Sequence, residues 1–426
     1  MQLDQATPEQ LHQWESQLSN EYNAIVAKNL KLDVTRGKPS SEQLDLSDAL
    51  DGILAGNYKA EDGTDTRNYG GLDGLAEAKR LGADLMGVPA ANILVGGNSS
   101  LTLMHQTMLT AYEFGLTGPD SAWNNVVEPK VICPVPGYDR HFTVCEQLGI
   151  TMITVPMTAT GPDMDAVEAL IKSDSSIRGL WCVPKYSNPT GVVYSADTVE
   201  RIAKLGQIAH RDFRVFWDNA YAVHDLVDNP PPLASIFDAT AKYSTDNSVL
   251  QFASTSKITH AGAGVAFMAT SEANLTGLKQ FLSACTIGPD KVNQLRHARF
   301  LPNRETLMAH MQKHAALLQP RFAAVLSALD NAFGDNDLGS WEAPLGGYFV
   351  SFDTRPGCAQ QTVRLAAEAG VKLTPAGATF PYGDDPEDRN IRIAPSVPSI
   401  DEVVGAMEVF VVCVKLASVR QALAQS

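Results

Sequence analysis

Short apolar runs alternate with longer amphipathic segments from about residue 90 onward, and this alternation constrains the fold most. Six runs of six to eight residues, each flanked by Gly, Pro, Asn or Asp, are typical of buried strands: "KVICPV" (130–135), "GITMITVP" (149–156), "IRGLWCVP" (177–184), "RVFWDN" (214–219), "SVLQFAST" (248–255) and "GVAFMAT" (264–270). The segment 195–212 between two of them predicts a helix that Ser195 caps. Alternating strands and helices predict an α/β fold whose mainly parallel sheet is covered on both faces.

The pattern changes after residue 300. A long helix, expected to break or bend at Pro320, is followed by short strands and further helices, which indicates a smaller α+β domain. We therefore expect three regions. Residues 1–48 supply an N-terminal helix (8–30) and a segment that joins the small domain, 49–305 form the large domain, and 306–426 form the small C-terminal domain.

Composition narrows the partners. The formal net charge of −15 and the pI of about 5.0 argue against a nucleic acid or an anionic membrane surface. The sequence has no apolar run of membrane-spanning length, its beginning does not resemble a signal peptide, and its six cysteines are scattered. We expect a cytoplasmic protein with free thiols. No metal site is predicted, because His310 and His314 have no carboxylate or cysteine nearby and are interpreted as an exposed helix face.

A candidate anion site lies in "ILVGGNSSLTLM" (93–104), where two glycines precede Asn98, Ser99, Ser100 and a predicted helix. Free backbone N–H groups, hydroxyls and the positive end of the helix dipole would together hold a phosphate. An ordinary helix cap is the alternative interpretation. The motif does not match the nucleotide P-loop pattern.

Three further polar positions follow strands of the same predicted sheet. Asn188 lies in the turn "SNPTG", Asp218 ends an apolar strand with Tyr221 three residues later, and Lys257 follows a strand in "STSKITHAGAG". A plain turn or a helix cap would explain each one alone. Because the carboxyl ends of parallel strands meet at one sheet edge, these side chains are expected to form one ligand site.

As an ordered set, these motifs resemble the pyridoxal-phosphate (PLP) enzymes of the aspartate aminotransferase superfamily, and most closely the class I aminotransferases. The resemblance runs from "VTRGKPS" (34–40) to "RIAP" (392–395), near a bacterial branch known as aspartate aminotransferases. It implies the PLP-dependent transferase fold, with the large domain binding PLP.

The resemblance also implies roles for individual residues. Lys257 would bind the PLP aldehyde covalently and act as base and acid, while Asp218 would pair with the pyridine nitrogen. Tyr221 and Asn188 would contact the ring hydroxyl oxygen, and Tyr138 would stack on the ring. The phosphate would be held by Asn98, Ser99, Ser100 and Ser254, and by Tyr69 of a partner subunit, whereas Arg392 and the backbone near Gly37 would bind the substrate α-carboxylate.

One position departs from the family. Many relatives carry a phosphate-binding arginine eight residues after the lysine, where this chain has Val265. His260 or a partner-subunit residue is a candidate replacement.

The implied function is transamination by a homodimer between an amino acid, expected to be L-aspartate or L-glutamate, and a 2-oxo acid, 2-oxoglutarate or oxaloacetate. Alanine or aromatic substrates, a PLP-dependent β-lyase or decarboxylase, a transcriptional regulator and a phosphosugar-binding protein are alternatives. A distal carboxylate would need a cation, and the candidates are Arg36, Lys38, Arg140, Arg296 and Arg299.

Overall fold

An eight-stranded sheet organises the chain. The computed structural model describes residues 2–425. The strands of this sheet are β2 (Ile93–Val95), β3 (Lys130–Val135), β4 (Thr151–Thr158), β5 (Gly161–Pro162), β6 (Ile177–Cys182), β7 (Arg214–Asp218), β8 (Val249–Ser254) and β9 (Ala266–Ala269). Their order is β2-β9-β8-β7-β6-β3-β4-β5, and the five from β8 to β4 pair in parallel. The expectation of a mainly parallel sheet is confirmed.

Helices cover both faces of this sheet. As a result, nearly every residue of β3, β6, β7 and β8 is buried. Separate apolar clusters lie on the two sides. The helices between residues 76 and 300 are α3 (Ala76–Met86), α4 (Ser100–Leu109), α5 (Asp139–Gln147), α6 (Met164–Ser173), α7 (Ala196–Ile208), α8 (Ile236–Tyr243), α9 (Glu272–Cys285) and α10 (Lys291–Phe300). As expected, Ser195 caps α7 through the backbone N–H of Thr198.

Both ends of the chain build a second core. It is formed from α1 (Pro8–Val26), α11 (Arg304–Phe333), α12 (Ala359–Glu368), α13 (Ile400–Gln425), the antiparallel sheet β10 (Gly339–Trp341), β11 (Val350–Thr354) and β13 (Asn390–Ile393), and the parallel pair β1 (Leu32–Asp33) and β12 (Val371–Lys372). The short helix α2 (Ser41–Asp45) leads from β1 toward α11. The domain boundaries at residues 48 and 305 stay a prediction.

The structure differs from expectation at two helices. A capping box at Thr7 begins α1, which ends at Val26 rather than near residue 30. The long helix α11 continues through Pro320 without a break, since packing of its apolar side in the second core maintains the helix. His310 and His314 are buried, so the interpretation as an exposed helix face is wrong.

Two global features bear on the environment. From residue 2 to residue 425, no helix combines the length and apolarity that a membrane crossing requires. The six cysteines are free, and five of them are buried, Cys285 being the exposed one.

Candidate active site

Lys257 lies in the turn that follows β8, beside the carboxyl end of β7. Its Nζ lies 5.3 Å from the centre of the Tyr221 ring. Burial lowers the pKa of the Lys257 amine, and the Asp218 charge opposes this shift without cancelling it. A lowered pKa increases the fraction of neutral amine, the form that reacts with a carbonyl carbon or accepts a proton.

Asp218, the last residue of β7, is buried, and only one of its two carboxylate oxygens has a hydrogen-bond partner. Its Oδ2 lies 2.9 Å from Nε2 of His141, whose ring stacks on Trp181 with centroids 4.0 Å apart. Its Oδ1 is also buried and has no hydrogen-bond partner among the described residues. Because an unpaired buried carboxylate oxygen is costly, this atom is suited to accept a hydrogen bond from a bound ligand.

Seven of the twelve predicted site residues line one cavity, together with several apolar residues. It is lined by Gly37, Ser100, Tyr138, Asn188, Asp218, Tyr221 and Lys257, and by Leu101, Met104, Val183, Ala220 and Phe349. The amine and the unpaired carboxylate oxygen therefore border the same space. Asn188 follows β6, as Asp218 follows β7, so the shared sheet edge explains this convergence.

Two tyrosines of the cavity remain protonated at neutral pH. Burial, assisted by the nearby carboxylates Asp218 and Asp139, raises the pKa of Tyr138 to about 12. Burial also raises the pKa of Tyr221 well above its ordinary value, with smaller contributions from Tyr138 and Asp218. Both phenols can therefore donate a hydrogen bond to an anionic ligand atom.

The predicted phosphate residues lie where α4 begins, next to the loop that carries the lysine. Asn98 Nδ2 donates to the carbonyl oxygen of Gly262 at 3.0 Å, and Ser256 Oγ donates to the carbonyl oxygen of Asn98 at 3.3 Å. Ser254 Oγ in turn donates to Ser256 Oγ at 3.1 Å. Ser99 caps α4 by accepting from Thr102 N, so its hydroxyl has a local partner. These contacts place hydroxyls beside a helix N-terminus, a suitable setting for an anion.

Arg392, on β13, is buried and contacts two residues that line the cavity, Asn188 and Phe349. Its Nη1 donates to Asp139 Oδ1 at 2.9 Å and to Asn188 Oδ1 at 3.2 Å. Its guanidinium carbon lies 4.9 Å from the centre of the Phe349 ring. Gly37 packs so closely against the same ring that a Cβ there would lie 2.4 Å from a ring carbon. Arg392 and Gly37 therefore both pack against the ring of Phe349, which lines the cavity.

Other predicted positions are not brought into this site. Tyr69 is 82% exposed and does not line the cavity of its own chain. Val265 is buried in an apolar cluster, and His260 Nε2 lies 3.5 Å from Asp48 Oδ1. Among the candidates for a distal carboxylate, Arg299 donates to two backbone carbonyl oxygens, whereas Arg140 lies beside Asp139 and is 47% exposed.

Sequence reasoning missed two residues of this site, His141 and Asp139. Both belong to "GYDRH", and each follows Tyr138 closely enough to share the first turn of α5. Their spacing from the expected stacking residue was the available signal. The partners themselves, Asp218 and Arg392, are distant in sequence, so only the fold reveals the pairs.

PLP fits the arrangement. The unpaired Oδ1 of Asp218 would accept from a protonated ring nitrogen, Lys257 offers an amine to an aldehyde, and the start of α4 suits a phosphate. Fold and site together define a PLP-dependent transferase with the aspartate aminotransferase fold.

Comparison with known proteins supports this assignment to the PLP-dependent transferases. Residues 6–426 match the family model described as aspartate amino-transferase. An aspartate aminotransferase of Corynebacterium glutamicum is 46% identical over 402 residues, which cover 94% of this chain and 93% of the relative. The chain belongs to the aspartate aminotransferase family, and it is an aminotransferase whose cofactor is PLP.

Solved structures extend this result. The crystal structure of an aspartate transaminase from Corynebacterium glutamicum superposes with a TM-score of 0.96 at 44% identity, covering 99% of both chains. LysN, the α-aminoadipate aminotransferase of Thermus thermophilus, has a TM-score of 0.75 at 21% identity, with 95% and 96% of the two chains covered. At that identity the likeness shows the fold alone. LysN was solved with N-(5'-phosphopyridoxyl)-L-leucine.

Proposed function

We propose that this aminotransferase exchanges the amino group between L-aspartate or L-glutamate and the 2-oxo acids 2-oxoglutarate or oxaloacetate. Two findings support the aspartate assignment: a relative at 46% identity is named aspartate aminotransferase, and a structure at 44% identity is an aspartate transaminase. The observation that carries the chemistry is the buried Lys257 amine, which shares a cavity with Asp218 and its unpaired oxygen.

In this proposal, bound PLP supplies an aldehyde for the substrate amine and a ring that withdraws electrons from the substrate Cα. The Lys257 amine would take the substrate Cα proton onto Nζ and give it up again, acting first as a base and then as an acid. Its lowered pKa favours the neutral base that this step needs. Asp218 Oδ1 would accept a hydrogen bond from the ring nitrogen and keep that nitrogen protonated, while His141 Nε2 contacts the other oxygen of Asp218.

The remaining residues of the site would bind and orient the cofactor and the substrate. Asn188 and Tyr221 would donate to the ring oxygen, and Tyr138 would cover a ring face. The phosphate would be held by Asn98, Ser99, Ser100 and Ser254 with help from the start of α4, and Arg392 would bind the substrate α-carboxylate with the backbone near Gly37. These assignments rest on the resemblance to the family and are compatible with the contacts described above.

A comparison of substrates tests the specificity. We expect kcat/KM with 2-oxoglutarate as the acceptor to be higher for aspartate than for alanine or phenylalanine, because a paired distal carboxylate adds binding energy. A higher value for alanine or phenylalanine would contradict the dicarboxylate assignment. Formation of the 2-oxo acid product without release of ammonia would distinguish transamination from a β-lyase reaction, which releases ammonia.

A cytoplasmic homodimer with shared active sites is also part of the proposal. Tyr69 and Ile287 are 82% and 63% exposed. The adjoining glycines, Gly70 and Gly288, touch, so the two apolar side chains belong to neighbouring surface segments. Exposed apolar patches of this kind mark association surfaces, and Tyr69 would there reach the phosphate of the partner subunit.

Sedimentation and cofactor titration test the dimer. We expect a dimer at assay concentrations, and we expect Tyr69→Phe to weaken PLP binding without changing the dimer. Val127→Ser, a change at another fully exposed apolar residue, serves as the matched control and should alter neither property. An active monomer would refute this part of the proposal.

A further inference from the structure

Arg392 is already neutralised in this structure by a carboxylate of its own chain. Asp139 Oδ1 lies 2.9 Å from Arg392 Nη1, and Asp139 Oδ2 lies 3.7 Å from Nε of Arg140. The Asp139 carboxylate therefore lies between two guanidinium groups. An uncompensated buried arginine is unfavourable, so a counter-ion is needed whenever no substrate is bound.

The free edges of the Arg392 guanidinium determine how a substrate carboxylate can bind. Its Nε is buried and has no partner among residues 2–425, and the acceptors that hold the guanidinium, Asp139 and Asn188, both bind Nη1. Its Nη1 has two hydrogens and two acceptors, Asp139 and Asn188. A carboxylate that binds the Nη1–Nη2 edge with two hydrogen bonds must therefore displace one of these acceptors.

Asp139 is the acceptor suited to leave. Asn188 is 3% exposed and is held in the turn after β6, whereas the Asp139 side chain is 27% exposed. Asp139 also retains a cation after displacement, because Arg140 lies on its other side. Leaving both carboxylates on Arg392 would place two negative charges a few ångströms apart, which is unfavourable.

We propose that Asp139 is an internal competitor of the substrate carboxylate, bound to Arg392 in the resting enzyme and transferred to Arg140 when substrate arrives. Asp139 is then a residue that tunes the affinity of the site for carboxylates. It lowers the affinity for every carboxylate, so that a simple anion is excluded while a ligand that also engages the cofactor end of the cavity binds. The proposal rests on the assignment of Arg392 to the α-carboxylate.

The sign of the effect of Asp139→Asn decides the proposal. For the PLP-loaded enzyme, we expect the Kd of succinate, measured by calorimetry, and the KM of aspartate and of alanine to fall about fivefold, the effect of one partly exposed ion pair, with kcat little changed. Asp120→Asn removes the same charge from an exposed loop and should change none of these values. If Asp139 instead orients Arg392 permanently, Kd and KM rise, and this result overturns the proposal.

Arg140→Gln supplies an independent test. Without Arg140, displaced Asp139 has no second cation, so the KM values of alanine and aspartate should rise together. Combining Arg140→Gln with Asp139→Asn should remove that increase. A rise for aspartate alone, unaffected by the second change, would assign Arg140 to the distal carboxylate and refute its role as the acceptor of Asp139.

Arg392→Gln separates this proposal from the proposed function. Succinate binding should fall at least about a hundredfold in this variant, since the buried cation that receives the carboxylate is gone. If succinate binding is unchanged, the assignment of Arg392 is wrong and the internal competition is refuted with it. If binding is lost, the responses of the Asp139 and Arg140 variants decide the competition alone.

Discussion

Two sets of buried polar residues lie on either side of the Lys257 loop, and they differ in completeness. The cavity side contains Asp218 and Arg392, each with a buried atom that lacks a partner among residues 2–425. The opposite side contains a histidine chain, which we define as Gln43, His310, His314 and Tyr348.

The histidine chain is paired internally. Gln43 Nε2 donates to Tyr348 OH at 2.9 Å and lies 3.0 Å from His314 Nδ1. His314 Nε2 lies 3.1 Å from His310 Nε2, which is 2.7 Å from the carbonyl oxygen of Ile258. A neutral His310 Nε2 either accepts from His314 or donates to Ile258, so the tautomer of His310 decides which of these two contacts is a hydrogen bond. In the described part of the chain, none of its polar atoms is buried without a partner. The unpaired oxygen of Asp218 borders the cavity and is available to a ligand, whereas the histidine chain contacts the backbone at Ile258 and stabilises the loop next to the lysine.

The largest expected effect is on the cavity side. Lys257→Ala should reduce transamination at least about a thousandfold, because the proposed base for the Cα proton is lost. Its stability should be unchanged or slightly higher, since burial of the amine disfavours its charged form. Turnover and urea unfolding of the same preparation measure both properties, and turnover close to that of the unmutated enzyme would refute the assignment.

Asp218→Asn should have the second largest effect. Loss of the charged acceptor should weaken the proposed hydrogen bond to the ring nitrogen by about 2 kcal/mol, which corresponds to roughly a 30-fold lower kcat. The fold should be retained, because asparagine has nearly the same shape and can still contact His141. An unchanged kcat with an unchanged visible spectrum of the bound cofactor would show that Asp218 has no influence on the ring.

On the opposite side, His314→Leu should affect stability rather than catalysis. The change leaves Gln43 and His310 without one partner each, at a cost of about 1–3 kcal/mol in the free energy of unfolding. His314→Gln, which keeps a hydrogen-bonding side chain, is the matched control and should lose less. Should kcat fall in His314→Leu while unfolding is unaffected, the division between the two sides would be wrong.

Acidification should produce the smallest of these effects, a gradual loss of the free energy of unfolding as the pH falls. Burial lowers the pKa of His314 to about 4 and also lowers the pKa of His310. Because the unfolded state takes up the proton first, the stabilisation is complete above about pH 6.5 and falls as the pH drops toward 4, by at most about 1.4 kcal/mol per pH unit for each histidine. Urea titrations at several pH values should show a shallower slope for His314→Gln.

The sequence predicted those parts of the structure that local pattern determines. The positions of Asp218, at the end of a strand, and of Lys257, just after one, could be recognised because an apolar run stops at or shortly before each, and parallel strands bring such ends together. Burial of His310 and His314 could not be recognised, because α11 alone does not reveal that residues near Gln43 cover it. The contact of Asp139 with Arg392 joins α5 to β13 across 253 positions of sequence, a distance that no local pattern spans.

The close packing of Gly37 against Phe349 has a consequence for redesign of the enzyme. Any side chain at position 37 would push the ring that also lies against Arg392, so neither residue can be enlarged on its own. A smaller residue at 349 would open room for a side chain at 37, and the two positions are therefore best varied together. A library that couples them would explore new substrate shapes that successive single changes, passing through a clash or a void, would lose.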